Sequence, residues 1–240
     1  RFTIDSYLEM LKEGYRGIKK GDPDAWVTTT GFASLTHPRV TPGFQRDVLL
    51  RGAGFYDIHA YHEHGGFDSF TGIVDHLLLP MRRELGISAP GFANETAVTS
   101  AGGQERSQAL TVFKKIMFAW ARGSIAYVWY NLRNKGDDPM NAEHNYGLLH
   151  HDFHPKSGYA VFHAMATLYT GLAFDGELAA GNGASVFRFK NADRMVIGSW
   201  GEGGNIFVIR TDAKRAEQVA LMDNRREVPI RNGVTILQVG

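Results

Sequence analysis

Cysteine is absent from all 240 residues, which excludes a disulfide framework, a thiolate nucleophile and a thiolate metal site. An excess of charge of one sign is also lacking. The formal net charge is only +1, so there is neither a basic field for nucleic acid nor an acidic tail for a cationic partner. No apolar run approaches the roughly 18 residues of a membrane-spanning helix, the longest clean stretch lying around residues 125–129. A secretory leader pattern is missing as well. The sequence begins with Arg1 and enters a helix pattern within a few residues, which reads as the C-terminal portion of something longer. These absences leave a small or neutral ligand as the expected partner. The apolar fraction of 43% suffices for a packed core, as one large domain or as a medium domain with a small appendage.

Periodicity then divides the chain. Tyr7, Leu8, Leu11, Tyr15 and Ile18 fall on one helical face over residues 5–20. Ser6 with Glu9 suits a capping box, with Thr3 or Asp5 as equal candidates for the cap. Residues 25–30 are rich in β-branched and aromatic side chains and read as a strand, residues 44–50 as a short helix and residues 56–61 as a second strand. Phe67, Phe70, Ile73, Val74, Leu77, Met81 and Leu85 mark a long helix with Gly86 just beyond it. A strand over residues 91–96, a helix over 104–122, a strand over 125–130 and, after a long loop, a helix over 158–172 complete the series.

Strands that alternate with helices of this length imply parallel βαβ units, with ligands beyond the carboxyl ends of the strands. After Asp175 the texture changes. Short β-branched runs at 185–190, 194–200, 206–211, 219–222 and 234–239, with turn sequences such as Arg231-Asn232-Gly233 between them, predict an antiparallel β appendage. The expected fold class is therefore α/β, with a boundary between residues 1–174 and 175–240.

The chemistry-bearing residues collect at strand tips: Asp57-Ile58-His59-Ala60-Tyr61, Asn94-Glu95-Thr96 and Tyr127-Val128-Trp129, followed by Asn131. With Asp22-Pro23-Asp24-Ala25, Gly147-Leu148-Leu149 and the run Pro155-Lys156-Ser157-Gly158-Tyr159-Ala160, they resemble the C-terminal half of a clan A retaining glycoside hydrolase. That family has a (β/α)8 barrel (TIM barrel) followed by a small β-sandwich, and the likeness covers nearly the whole chain. It implies strands five to eight of the barrel, a carbohydrate substrate and cleavage of O-glycosidic bonds by double displacement, without metal or cofactor. Glu95 maps onto the nucleophile that ends strand seven. His59 and Tyr61 map onto the strand-six His-x-Tyr pair, whose tyrosine hydrogen-bonds the nucleophile, and Trp129 onto the strand-eight floor of the sugar site. Asn131 would serve the sugar hydroxyls.

One departure matters. The family's acid/base glutamate has no counterpart here, so the resemblance implies that it lies upstream of residue 1, with the missing N-terminal half of the barrel as a partner and the chain alone inactive. The sequence does not fix a compartment; the resemblance implies a secreted or periplasmic one.

Plainer readings stand beside these. His59 can be a satisfied core histidine, Tyr61 a packing residue and Trp129 part of the core. Two histidine groups, His59/His62/His64 and His144/His150/His151/His154, leave open a metal-dependent hydrolase. A carbohydrate-binding protein without catalysis is a third reading, since such a module needs no upstream half.

Overall fold

The computed structural model describes residues 3–36, 43–180, 183–201 and 205–239. It is mixed α/β and divides into two compact units, one comprising 1–98 and 118–131, the other 99–117 and 132–240.

The first unit opens with α1 (Ile4–Gly21). Thr3 is its cap: the Thr3 hydroxyl accepts from the Ser6 amide while Ser6 Oγ accepts from the Thr3 amide, so two otherwise unpaired donors are satisfied together. Asp5 in the first turn and Lys19 and Lys20 in the last complement the helix dipole. The expected apolar face is real. Tyr7 and Leu11 pack with Phe32, Val48, Leu49 and Tyr56 in one buried cluster, to which α2 (Phe44–Arg51) contributes two residues.

Three parallel strands follow, β1 (His59–His62), β2 (Gly91–Thr96) and β3 (Ser124–Trp129), hydrogen-bonded in chain order. Parallel neighbours need long crossovers. Between β1 and β2 the chain is helical over α3 (Phe67–Ile73), a π-helical turn (Val74–Leu78) and α4 (Leu79–Glu84). The wider turn accommodates Pro80, which lacks an N–H and would clash with the carbonyl one turn back in a regular α-helix. Arg122 clamps this helix with two bonds to Asp75, Nε to Oδ1 at 2.8 Å and Nη2 to Oδ2 at 3.2 Å.

The expected strand at 25–30 is reduced to two isolated parallel bridges, Thr28 with Ile58 and Phe32 with Tyr61. Its order beside β1 is the expected one, but its ladder is interrupted: Asp57 Oδ2 instead of a backbone carbonyl accepts the Val27 amide at 2.8 Å.

In the second unit, the N-terminal part of α5 (Glu105–Ala121) is followed by a loop and by α6 (Ser157–Tyr169). The loop is tied by Lys156, only 2% exposed. Its ammonium donates to Ser100 Oγ at 2.9 Å, Asn134 Oδ1 at 2.8 Å and the Asn145 carbonyl at 3.3 Å. Burial lowers its pKa to about 8, against an opposing pull from Glu105. The remaining strands are β4 (Ala173–Glu177), β5 (Ser185–Lys190), β6 (Met195–Trp200), β7 (Asn205–Arg210), β8 (Ala216–Val219), β9 (Arg225–Val228) and β10 (Val234–Val239). They form a β4-β5-β6 sheet and two antiparallel pairs, β7 with β10 and β8 with β9. Phe187 and Phe189 are the buried anchors, with Phe189 5.2 Å from the Tyr169 ring and Phe187 5.1 Å from Trp200. β4 and β9 were not expected, and the strand expected at 219–222 is instead a turn after β8, with Asp223 at φ 62°. Among the described residues no helix is long and apolar enough to cross a membrane.

His59 gives the first unit an acid-sensitive point. It is 0% exposed, with Nδ1 2.9 Å from Arg82 Nη1 and Nε2 2.8 Å from the Gln45 carboxamide. A guanidinium only donates, so Nδ1 is the acceptor, Nε2 carries the proton, and the Gln45 oxygen must face it. Burial, and secondarily the Arg82 charge, push this imidazole down to about 3. Below the ordinary histidine value the unfolded chain therefore takes up a proton that the folded chain refuses, and stability falls as pH drops from about 6.5 towards 3. In urea melts across this range, the His59→Gln variant should lose part of the acid-side slope of the parent. An identical slope would contradict this assignment.

Candidate active site

Glu95 sits one residue before the end of β2, with its side chain 37% exposed. Two imidazoles meet it. His64 Nε2 lies 3.2 Å from Oε1, within hydrogen-bond reach, and His62 Nδ1 lies 3.8 Å from Oε2, beyond it. The His64 ring stands edge-on to Tyr130, at 5.9 Å and 90°, so an aromatic wall fixes the donor. His62 titrates below the usual histidine value, first because of burial, with Glu95 opposing and His64 adding to the depression.

The glycine at position 31 lets His62 come close. A Cβ there would fall on His62 Nε2 and stand 2.7 Å from Asn94 Nδ2. Asn94 Oδ1 and Asn131 Oδ1 are buried without a hydrogen-bond partner, two acceptors left unsatisfied.

The structure brings Glu95 together with His62 and His64, not with the expected pair. The hydrogen bond expected from Tyr61 to Glu95 is not present. Tyr61 is 3% exposed and its hydroxyl lies 2.8 Å from Ser124 Oγ, at the start of β3. Burial pushes this phenol up to about 12. His59 is enclosed by Gln45 and Arg82 as described, and both side chains are buried.

His59, Tyr61 and Glu63 are buried, at 0%, 3% and 2% exposed, whereas the side chains of His62 and His64 are 24% and 41% exposed, beyond a shift in the pairing of β1 with β2 between Tyr61 and His62. His62-Glu63-His64 repeats the spacing of His59-Ala60-Tyr61 three residues further on, at the tip of β1. Trp129 is 6% exposed, and Thr96 accepts the next amide, that of Tyr130, at 2.9 Å. Asn131 lies directly beyond β3. Among the described residues no three His, Asp or Glu side chains are grouped to hold a metal. His150, His151 and His154 each pair with a different carboxylate, Glu105, Asp137 and Asp152.

No family model and no curated protein matches the sequence. Solved structures do match. A family 39 glycoside hydrolase from Bacteroides cellulosilyticus WH2 aligns at TM-score 0.69 and 21% identity, over 97% of this chain and 52% of that one. A GH30 endoxylanase from Clostridium papyrosolvens C71 aligns at 0.64 and 14%, over 99% and 58%. A glucosidase from Croceicoccus marinus aligns at 0.60 and 16%, over 96% and 51%. The chain thus spans about half the length of the structures it matches. At the level of fold, the resemblance to clan A glycoside hydrolases read from the sequence holds: this chain has the fold of about half of such an enzyme.

Proposed function

We propose that this chain is the nucleophile-bearing portion of a retaining glycosidase, with Glu95 as the nucleophile. The observation that carries the reading is the placement of Glu95 at the carboxyl end of a parallel strand, with a histidine donor on one oxygen and none in reach from His62 on the other. In such units ligands bind beyond the carboxyl ends of the strands.

In the first step Oε2 of Glu95 attacks the anomeric carbon. The bond to the leaving oxygen breaks, and that oxygen takes a proton from an acid on the opposite side, about 5–5.5 Å from the nucleophile. Water, deprotonated by the same group, then releases the sugar from Glu95. A hydrogen bond from His64 to Oε1 holds the plane of the carboxylate for attack. Asn131, just beyond β3, and Trp129 at its end are assigned to the sugar site by the resemblance.

The proton donor is assigned to a preceding portion of the protein that completes a (β/α)8 barrel. Apolar surface left open in the first unit supports this: Ile125 and Val128 on β3 are 43% and 46% exposed, Trp26 is 71% exposed, and residues 27–30 with α1 line an open groove of ≈ 330 Å³. Unpaired parallel strands at both sides of a sheet are association sites. The chain by itself is then expected to hydrolyse little.

His64 provides a test within the whole enzyme. Removing a hydrogen bond to a charged group costs about 1.5–3 kcal/mol, so His64→Phe should lower kcat by about ten- to a hundredfold. His64→Gln, which keeps a donor, should lose less at equal thermal stability. Equal losses in both variants, or no loss in either, would contradict the donor role.

A further inference from the structure

Three described residues other than glycine have a left-handed backbone: Phe153 at φ 71°, Asp223 at 62° and Asn232 at 53°. Asp223 and Asn232 occupy hairpin turns and are the residue types that tolerate this conformation. Phe153 takes the same conformation at the third position of a tight hairpin loop, which the His150 amide closes on the His154 carbonyl and the Phe153 amide on the His150 carbonyl. For a bulky side chain this conformation is a true outlier, and the residue is 63% exposed.

The tip that holds Phe153 is closely braced. The His150 amide donates to the His154 carbonyl at 2.8 Å and the Phe153 amide to the His150 carbonyl at 3.1 Å. The Arg133 guanidinium lies 4.2 Å from the Phe153 ring centroid, over one face, and is itself fixed by its Nε donating to the His151 carbonyl at 2.8 Å. His150 pairs with Glu105 at 3.1 Å and His151 with Asp137 at 3.0 Å. Asp152 Oδ1 accepts the His154 amide at 3.1 Å, and its other oxygen pairs with the His154 ring at 2.9 Å.

We propose that Phe153 is a stacking platform for a neutral oligosaccharide. With one face covered by Arg133 and the residue still largely exposed, the other face is open to solvent. A flat aromatic face held rigidly suits the apolar C–H face of a pyranose. The carboxylates and imidazoles around it supply acceptors and donors for hydroxyl groups. The Arg133 guanidinium is set against the carboxylates of Glu105, Asp137 and Asp152 around the same loop, so there is no net cationic field of the kind an anionic ligand would need, which favours a neutral sugar. A single ring among polar groups is also too small for a protein interface. The proposal rests on the reading that this protein handles carbohydrate.

The test uses the whole protein carrying Glu95→Gln, so that nothing is consumed. Binding of xylo-, cello- and laminari-oligosaccharides is measured by calorimetry, with Phe153→Gly and Phe153→Trp added. Glycine adopts positive φ without cost, so Phe153→Gly should melt no lower than the parent while its affinity for the oligosaccharide that binds falls about five- to tenfold. Phe153→Trp should retain binding. Unchanged affinity in Phe153→Gly, or no binding of any of these sugars by the parent, would overturn the platform. Loss of binding in Phe153→Gly, together with no hydrolysis of the same sugars by the whole protein that retains Glu95, would overturn the glycosidase reading and leave the platform standing.

Discussion

Replacing Glu95 by Gln in the whole enzyme should lower turnover by four orders of magnitude or more, on the order of what removal of a catalytic nucleophile costs elsewhere, with substrate binding nearly kept. Glutamine has the shape of the carboxylate and can still meet His64, whose Nε2 is 3.2 Å from Oε1, but it cannot form the glycosyl ester. Because the failure falls on the first covalent step, Glu95→Ala with azide or formate should recover activity: the small anion enters the space vacated by the carboxylate and attacks the same face of the sugar. Its product should have inverted configuration. Full activity of Glu95→Gln, or rescue with retained configuration, would contradict the assignment.

The second large effect concerns stability. Gly147→Ala should destabilise the fold by about 3 kcal/mol or more, the upper range for overpacking, lowering Tm by about 6–12 °C for a chain of this size. A Cβ at this position would collide with the Asn134 amide nitrogen and the Arg133 carbonyl carbon and stand 2.7 Å from the Leu149 carbonyl oxygen. All three are backbone atoms, so no side chain can rotate out of the way. The Gly147 amide also donates to Asn134 Oδ1 at 3.0 Å, the same oxygen that accepts from Lys156. Displacing this segment therefore also disturbs one of the acceptors of the buried Lys156 ammonium. Differential scanning calorimetry checks it; a change under about 2 °C would mean that the loop relaxes freely.

What could be read from the sequence follows from what periodicity encodes. α1 was visible because Tyr7, Leu8 and Leu11 recur at helical spacing and are the buried residues. β2 and β3 were visible as apolar runs bounded by Gly, and Glu95 as a carboxylate at a tip. Parity was harder. A strand pattern fixes which residues alternate but not which set faces the ligand, and a shift between Tyr61 and His62 in the pairing of β1 with β2 separates the apolar run from its tip. His62 and His64, which meet Glu95, therefore do not stand out in the sequence beside His59 and Tyr61. β9, Arg-Arg-Glu-Val, is held by pairing across from β8, where Arg226 Nε meets Gln218 Oε1 at 2.9 Å; such a polar strand carries no hydrophobic signal. The tie between Lys156, Ser100 and Asn134 joins residues 56 and 22 positions apart, a separation no local pattern reports.

The central claim is that a sugar becomes covalently attached to Glu95. The most direct measurement treats the whole enzyme with a 2-deoxy-2-fluoro glycoside carrying a good leaving group, which slows release of the intermediate, and then locates the added mass by peptide sequencing. The account predicts a stoichiometric label on Glu95, within the peptide that includes Asn94 and Thr96. A label on another carboxylate, or turnover of ordinary substrate with inverted configuration and no label, would contradict it.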